Sequence, residues 1–181
     1  MKFTVIGNGA SRAPIPLDKL KGTLVGSNHI YHHFKPDYLT IVDYDMVKEV
    51  LESDYDGSVY YRYLSLTRQN LQAKHSWYSP PYMQHNCSGI AAIHLAADKG
   101  ATEIDLLGFY CIRGRVPGYG PHRSNGKIQD PSFNLWRKVL NNIARIEYDY
   151  IKFRRVVDEK CYPIPNIPSI SVKDYIKELD I

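Results

Sequence analysis

Residues 88–109 read SGIAAIHLAADKGATEIDLLGF, and they decide the fold. Apolar side chains at 90, 91, 93, 95 and 96 predict a helix with a broad buried face. Gly100 follows as a natural C′ stop, and EIDLLGF at 103–109 then has the apolar density of a buried strand. The alanines predict close packing of the helix on a sheet. A helix, a glycine and a buried strand in succession are the α/β alternation of a largely parallel sheet.

The same alternation extends in both directions. Upstream, KFTVI at 2–6 is a strand that runs into the tight turn Gly7-Asn8-Gly9. Pro14 and Pro16 exclude a regular helix over the first half of 12–20, leaving room for a helical turn at 18–20. GTLVGSN at 22–28 reads as a second strand. YLTIV at 38–42 is a third, ending at Asp43, with a helical pattern over 46–51 behind it. VYYRYLSL at 59–66 is a fourth. Residues 67–86 contain SWYSPPYM, a proline-broken aromatic loop. Downstream, 110–131 is polar and holds four glycines; so long a loop in a compact domain is expected to be functional. The stretch 133–146 is an amphipathic helix with Leu135, Val139, Leu140 and Ile143 on one face. YIKFRRV at 150–156 reads as the last strand, 161–168 as a proline-rich extended segment, and 172–179 as a short helix capped by Ser171. The expectation is a single Rossmann-like α/β domain over 1–181, with a mostly parallel central sheet flanked by helices and a C-terminal extended tail and short helix.

Composition narrows the partners. The 181 residues are 44% hydrophobic and 23% charged, ordinary globular values, with an excess of tyrosine at 15. Net charge is +4, yet no Lys/Arg run exceeds two residues, so the electrostatic footprint of a nucleic-acid binder is missing. Three separated cysteines without CxxC spacing indicate neither a disulfide framework nor a zinc knuckle. No apolar run approaches the ~18 residues of a membrane span, and the N-terminal run is too short for a secretory signal. A soluble cytoplasmic protein is expected; a homo-oligomer is compatible with the composition.

Chemistry gathers at the strand ends. Gly7, Asn8, Gly9 and Ser11 follow the first strand, where ligands of parallel sheets sit. Glycines there admit a phosphate to backbone amides or simply permit a tight turn. Asn8 could read a base or ribose. Asn28 ends the second strand and Asp43 the third, where Asp43 is either a ligand contact or a helix cap. Ser88 and Gly89 open the long helix, as an N-cap or as an anion site. A parallel sheet brings all of these to one edge. His29, His32 and His33 have no Cys or carboxylate within their segment, so no metal site is expected; for His29, contact with a donor is favoured. His94, inside the Ala-rich helix, is expected in the core or at an interface, and His75 and His85 flank the aromatic loop.

The strings VIGNGAS (5–11), GTLVGSN (22–28) and SGIAAIHLAADKGATEIDLLGFY (88–110) resemble the bacterial family 42 sialyltransferases. They also resemble the related domains of motility-associated glycosyltransferase factors and archaeal-type hydroxymethylpterin pyrophosphokinases. The resemblance covers residues 3–45 and 86–110. It implies a Rossmann-like fold holding a cytidine nucleotide: Asn8, Gly9 and Ser11 near phosphate or ribose, Asn28 and Asp43 near the sugar or base, Ser88 and Gly89 beside the nucleotide. It implies no required metal or cofactor, a CMP-sugar as co-substrate, and a hydroxyl acceptor. His122, in a Gly-Pro-His context, would be the general base. Tyr110 and Tyr119 would assist the leaving phosphate, and Arg113, Arg115 and Arg123 would screen its charge. The chain departs from the pattern at Phe109, where these families usually keep an Asp, at Ala10 in place of Pro, and at Asp43 in place of Asn.

The reaction expected is transfer of a sugar from a CMP-activated donor to a hydroxyl. Two alternatives stand beside it: a non-catalytic nucleotide-binding module, and a Mg²⁺-dependent pyrophosphokinase-like enzyme with Asp43 and Asp105 as the available acids.

Overall fold

The computed structural model describes residues 1–61, 77–78, 87–109, 130–158 and 161–180. The described strands are β1 (Lys2–Ile6), β2 (Thr23–Ser27), β3 (Tyr38–Ile41), β4 (Ser58–Tyr61), β5 (Trp77–Tyr78), β6 (Glu103–Leu107), β7 (Lys152–Val157) and β8 (Ser169–Ser171). They form one sheet in the order β5-β4-β3-β2-β1-β6-β7-β8. Every pairing among them is parallel. The helices are α1 (Tyr44–Glu52), α2 (Ser88–Asp98), α3 (Asp130–Asn142) and α4 (Val172–Glu178). This is a Rossmann-like α/β architecture.

Alternation along β1 explains how both faces are covered. Phe3 and Val5 pack with Ile90, Ile93 and Leu95 of α2 and with Leu140 after them. Ile6 packs on the opposite face, in the cluster that holds Met46, Val47 and Val50 of α1. Behind β6 and β7, Leu107 and Val156 meet Tyr175 and Leu179 at the C-terminal helix. Helix α2 ends as expected, with Gly100 at φ +86°. Ser171 caps α4, its hydroxyl accepting the Asp174 amide at 3.0 Å.

Some boundaries differ from the sequence reading. The chain continues past β7 into β8, because the segment after the prolines pairs with Arg155–Val157. Trp77–Tyr78, read as loop, adds a short parallel strand beside β4; of the fourth strand expected to run to residue 66, β4 describes Ser58–Tyr61. Leu135 is 59% exposed and does not join the core. Trp136 takes the place given to it, packing in line with Val139, Leu140 and Ile143, one residue further round the helix. Among the described residues, no helix is long and apolar enough to cross a membrane.

Candidate functional site

Strand order reverses between β1 and β6, since β1–β5 are laid down in one direction and β6–β8 in the other. Ligands of open parallel sheets bind in the crevice at the carboxyl ends of such a pair. Here that edge is formed by the turn after β1 and by Gly108-Phe109 after β6. The two segments run backbone to backbone. The Gly7 amide donates to the Leu107 carbonyl at 2.7 Å and the Gly9 amide to that of Gly108 at 2.9 Å. A Cβ on Gly9 would stand 2.3 Å from the Gly108 carbonyl oxygen; one on Gly108, itself at φ +72°, would stand 2.7 Å from that of Gly7. The glycines of the first turn therefore serve close approach of a second chain segment, and their amides are already engaged. The main-chain amides of Ala10 and Ser11 have no hydrogen-bond partner among the described residues.

The polar residues singled out at the strand ends do converge, through one network. Asn8 donates from Nδ2 to the Ser27 carbonyl at 3.1 Å and accepts from Arg12 Nη2 at 3.4 Å. This amide thus holds the turn to β2 through Nδ2 and to Arg12 through Oδ1, which leaves one Nδ2 hydrogen over. Ser27 Oγ donates to the Ile6 carbonyl at 3.2 Å, tying β2 back to β1. Ser88 is 2% exposed. Its Oγ accepts the Val42 amide at 3.0 Å and donates to Asn28 Oδ1 at 2.6 Å. It is neither an N-cap nor a free anion ligand; it joins α2 to β3 and β2. Thr40 Oγ1 adds a contact to the Ser88 carbonyl at 2.9 Å.

Among the described side chains at this edge, Asn28 keeps one end of its amide available. Its backbone stands at φ +51°, a left-handed conformation that Asn tolerates better than most residues. Its Oδ1 is occupied by Ser88, so its Nδ2 hydrogens, which have no partner among the described residues, form the free end of the amide. Asp43 is exposed and makes no capping hydrogen bond at the start of α1. Burial pushes the Cys87 thiol up, the Ile90 and Gly89 amides oppose this, and the Asp43 carboxylate adds to the push. That electrostatic contact puts Asp43 near the start of α2.

Phe109, a departure noted from the resembling sequences, has a steric role. Cβ atoms built on Gly7 and Gly89 would fall 3.2 and 3.1 Å from its ring. The ring, 8% exposed, lies between the first turn and the start of α2, and Gly89 makes room for it. Asp105 is removed from the metal-binding alternative. It is buried on β6, held by Arg154 Nε at 2.8 Å and Nη2 at 3.0 Å and by Lys2 at 3.0 Å. His122, Tyr110, Tyr119, Arg113, Arg115 and Arg123 lie outside the described residues.

Several participants escaped the sequence reading. Thr40 and Ser27 sit in apolar strand runs, where a small β-forming polar residue reads as strand propensity. Arg12, 4% exposed, sits between prolines and shows no periodic signal. His29 turns toward His32, Nδ1 to Nε2 at 3.5 Å, and toward Glu49, Nδ1 to Oε1 at 3.8 Å. The carboxylate missing from the His segment is supplied by α1, which only the fold could reveal.

No protein-family model and no curated protein matches the chain. Among solved structures, it is similar to the sialyltransferase CST-II, crystallised with a trisaccharide acceptor and CMP. The TM-score is 0.57 at 14% identity, covering 93% of this chain and 86% of that one. At that identity the likeness shows a shared fold. It agrees with the sialyltransferase side of the sequence resemblance; nothing found speaks for the pyrophosphokinase side.

Proposed function

We propose that this chain is a glycosyltransferase that takes a CMP-activated sugar as donor and a hydroxyl compound as acceptor. The observation that carries the reading is the Asn28 amide, held by Ser88 with its N–H₂ end free at the carboxyl edge of the sheet. A carbonyl or hydroxyl of a nucleotide is a fitting acceptor for those hydrogens. The unpartnered Ala10 and Ser11 amides lie in the segment after β1, where the sheet order reverses. They support placing phosphate oxygens there. The solved structure of the same fold contains CMP and a trisaccharide acceptor, which is why cytidine is preferred over other bases.

In this reading His122 withdraws the proton from the acceptor hydroxyl. The oxygen then attacks the anomeric carbon of the donor, the bond from that carbon to the phosphate oxygen breaks, and CMP departs. Tyr110 and Tyr119 donate hydrogen bonds to the departing phosphate, and Arg113, Arg115 and Arg123 balance its growing charge. No step calls for a metal.

The test is release of CMP from a panel of CMP-sugars with and without hydroxyl acceptors. Acceptor-dependent release that His122→Ala abolishes, with CMP binding retained, supports transfer. An intact CMP site with no turnover on any donor would instead mark a nucleotide-binding module.

A further inference from the structure

The segment Asn28–His32 is a 3₁₀ helix of five residues. At three residues per turn, side chains at i and i+3 eclipse one another. His29 and His32 are such a pair, and their ring centroids lie 5.5 Å apart. Helix α1 packs behind β3 through Met46, Val47 and Val50, and the same packing carries Glu49 to the two imidazoles. His29 Nδ1, His32 Nε2 and Glu49 Oε1 stand 3.5, 2.7 and 3.8 Å from one another.

These separations lie on either side of those in a coordination shell, and the 2.7 Å hydrogen bond between His32 and Glu49 would open by about 0.6 Å to admit an ion. Zinc bonds to imidazole nitrogen or carboxylate oxygen are about 2.0–2.1 Å, which puts the ligand atoms of a tetrahedral site about 3.3 Å apart. One cation placed among the three atoms would contact all of them. The outer shell is also built. Tyr31 Oη donates to Glu49 Oε1 at 2.7 Å, its ring stacks on His32 with centroids 4.3 Å apart, and it meets Tyr55 edge-on at 5.4 Å. Hydrogen bonds of this kind orient a ligating carboxylate.

We infer that His29, His32 and Glu49 form a binding site for a transition-metal cation of the zinc type, tying the 3₁₀ turn after β2 to α1. Two imidazoles with one carboxylate select zinc, cobalt or nickel over magnesium and calcium, which prefer all-oxygen shells. His32 and Glu49 are close to half exposed, so the fourth position is open to water. The site shares its turn with Asn28 and takes His29 as a metal ligand in place of the donor contact expected from sequence; His32 and Glu49 have no part in the nucleotide reading.

The experiment is titration of chelator-treated full chain with Zn²⁺ by calorimetry, and with Co²⁺ by its visible absorption. One metal per chain is expected, with a Co²⁺ spectrum of four-coordinate character. His32→Ala and Glu49→Gln, both at the surface, weaken binding by more than the roughly 10–100-fold produced by loss of an outer-shell partner. Tyr31→Phe weakens it by about tenfold, and His33→Ala leaves it unchanged. Saturation at a hundredfold excess over Kd raises Tm by on the order of 5–10 °C. No binding at 1:1 stoichiometry, or binding that survives both His32→Ala and Glu49→Gln, overturns the inference. A failure here leaves CMP binding untouched, so the two readings fail separately.

Discussion

Ser88 Oγ donates to Asn28 Oδ1 at 2.6 Å, across 60 residues of sequence. A buried serine at the start of α2 thereby decides which end of an amide at the end of β2 is left for a ligand. The same hydroxyl accepts the Val42 amide, so three elements of the carboxyl edge share one oxygen.

Ser88→Ala should therefore affect fold and site together. Losing the hydroxyl leaves the buried Val42 amide unsatisfied, at a cost of about 1–3 kcal/mol. It also frees the Asn28 amide to rotate. Urea unfolding should show the stability loss, and CMP affinity should fall more than in a surface variant of equal stability.

The glycines after β1 and at the end of α2 make opposite steric predictions. Gly9→Ala drives a Cβ to within 2.3 Å of the Gly108 carbonyl, and displacing that backbone should cost about 3 kcal/mol or more. Gly100→Ala meets nothing within 4 Å but holds φ +86°, so only the left-handed backbone penalty of about 1–2 kcal/mol applies. Denaturant midpoints of the two variants should rank in that order.

Asp105 ties the N-terminal strand to the C-terminal part of the chain. Burial favours its neutral form, but the hydrogen bonds and charges of Arg154 and Lys2 prevail and hold the carboxyl below its usual range. A carboxyl depressed in the folded state adds stability above its unfolded pKa and loses it as pH falls through the folded one. The contribution should be complete near neutrality and fade below about pH 4. Asp105→Asn, which leaves Arg154 and Lys2 without their shared partner, should cost about 2–4 kcal/mol at pH 7. The gap between variant and parent should narrow in acid titrations followed by circular dichroism.

Much of this fold was legible because its signals are periodic. The apolar runs of β1, β3 and β6 and the alanine-rich face of α2 are patterns that burial on a parallel sheet imposes on a sequence. The convergence of Asn8, Asn28 and Ser88 followed from that topology alone. Which atoms remain free did not. Asn8 is as plausible a reader as Asn28 until the carbonyl of Ser27 and the guanidinium of Arg12 are seen on its two ends. Gly7 and Gly9 look like a phosphate turn until Gly108 is found against them. Glu49 was hidden for a related reason, being 17 residues from His32 and on a different element. Strand β8 is too short, and too polar at both ends, to carry an alternation.

The central claim is that the carboxyl edge beside Asn28 binds a cytidine nucleotide. Asn28→Gly tests it most directly, because glycine keeps the φ of +51° without strain and removes only the amide. Calorimetric titration of the parent and of this variant with CMP, and with UMP, GMP and AMP as controls, is the measurement. CMP should bind the parent more tightly than the other three without added Mg²⁺, and Asn28→Gly should weaken it by about tenfold, one lost hydrogen bond at roughly 1–1.5 kcal/mol. Equal CMP affinity in parent and variant, or no CMP binding by the parent, would contradict the account.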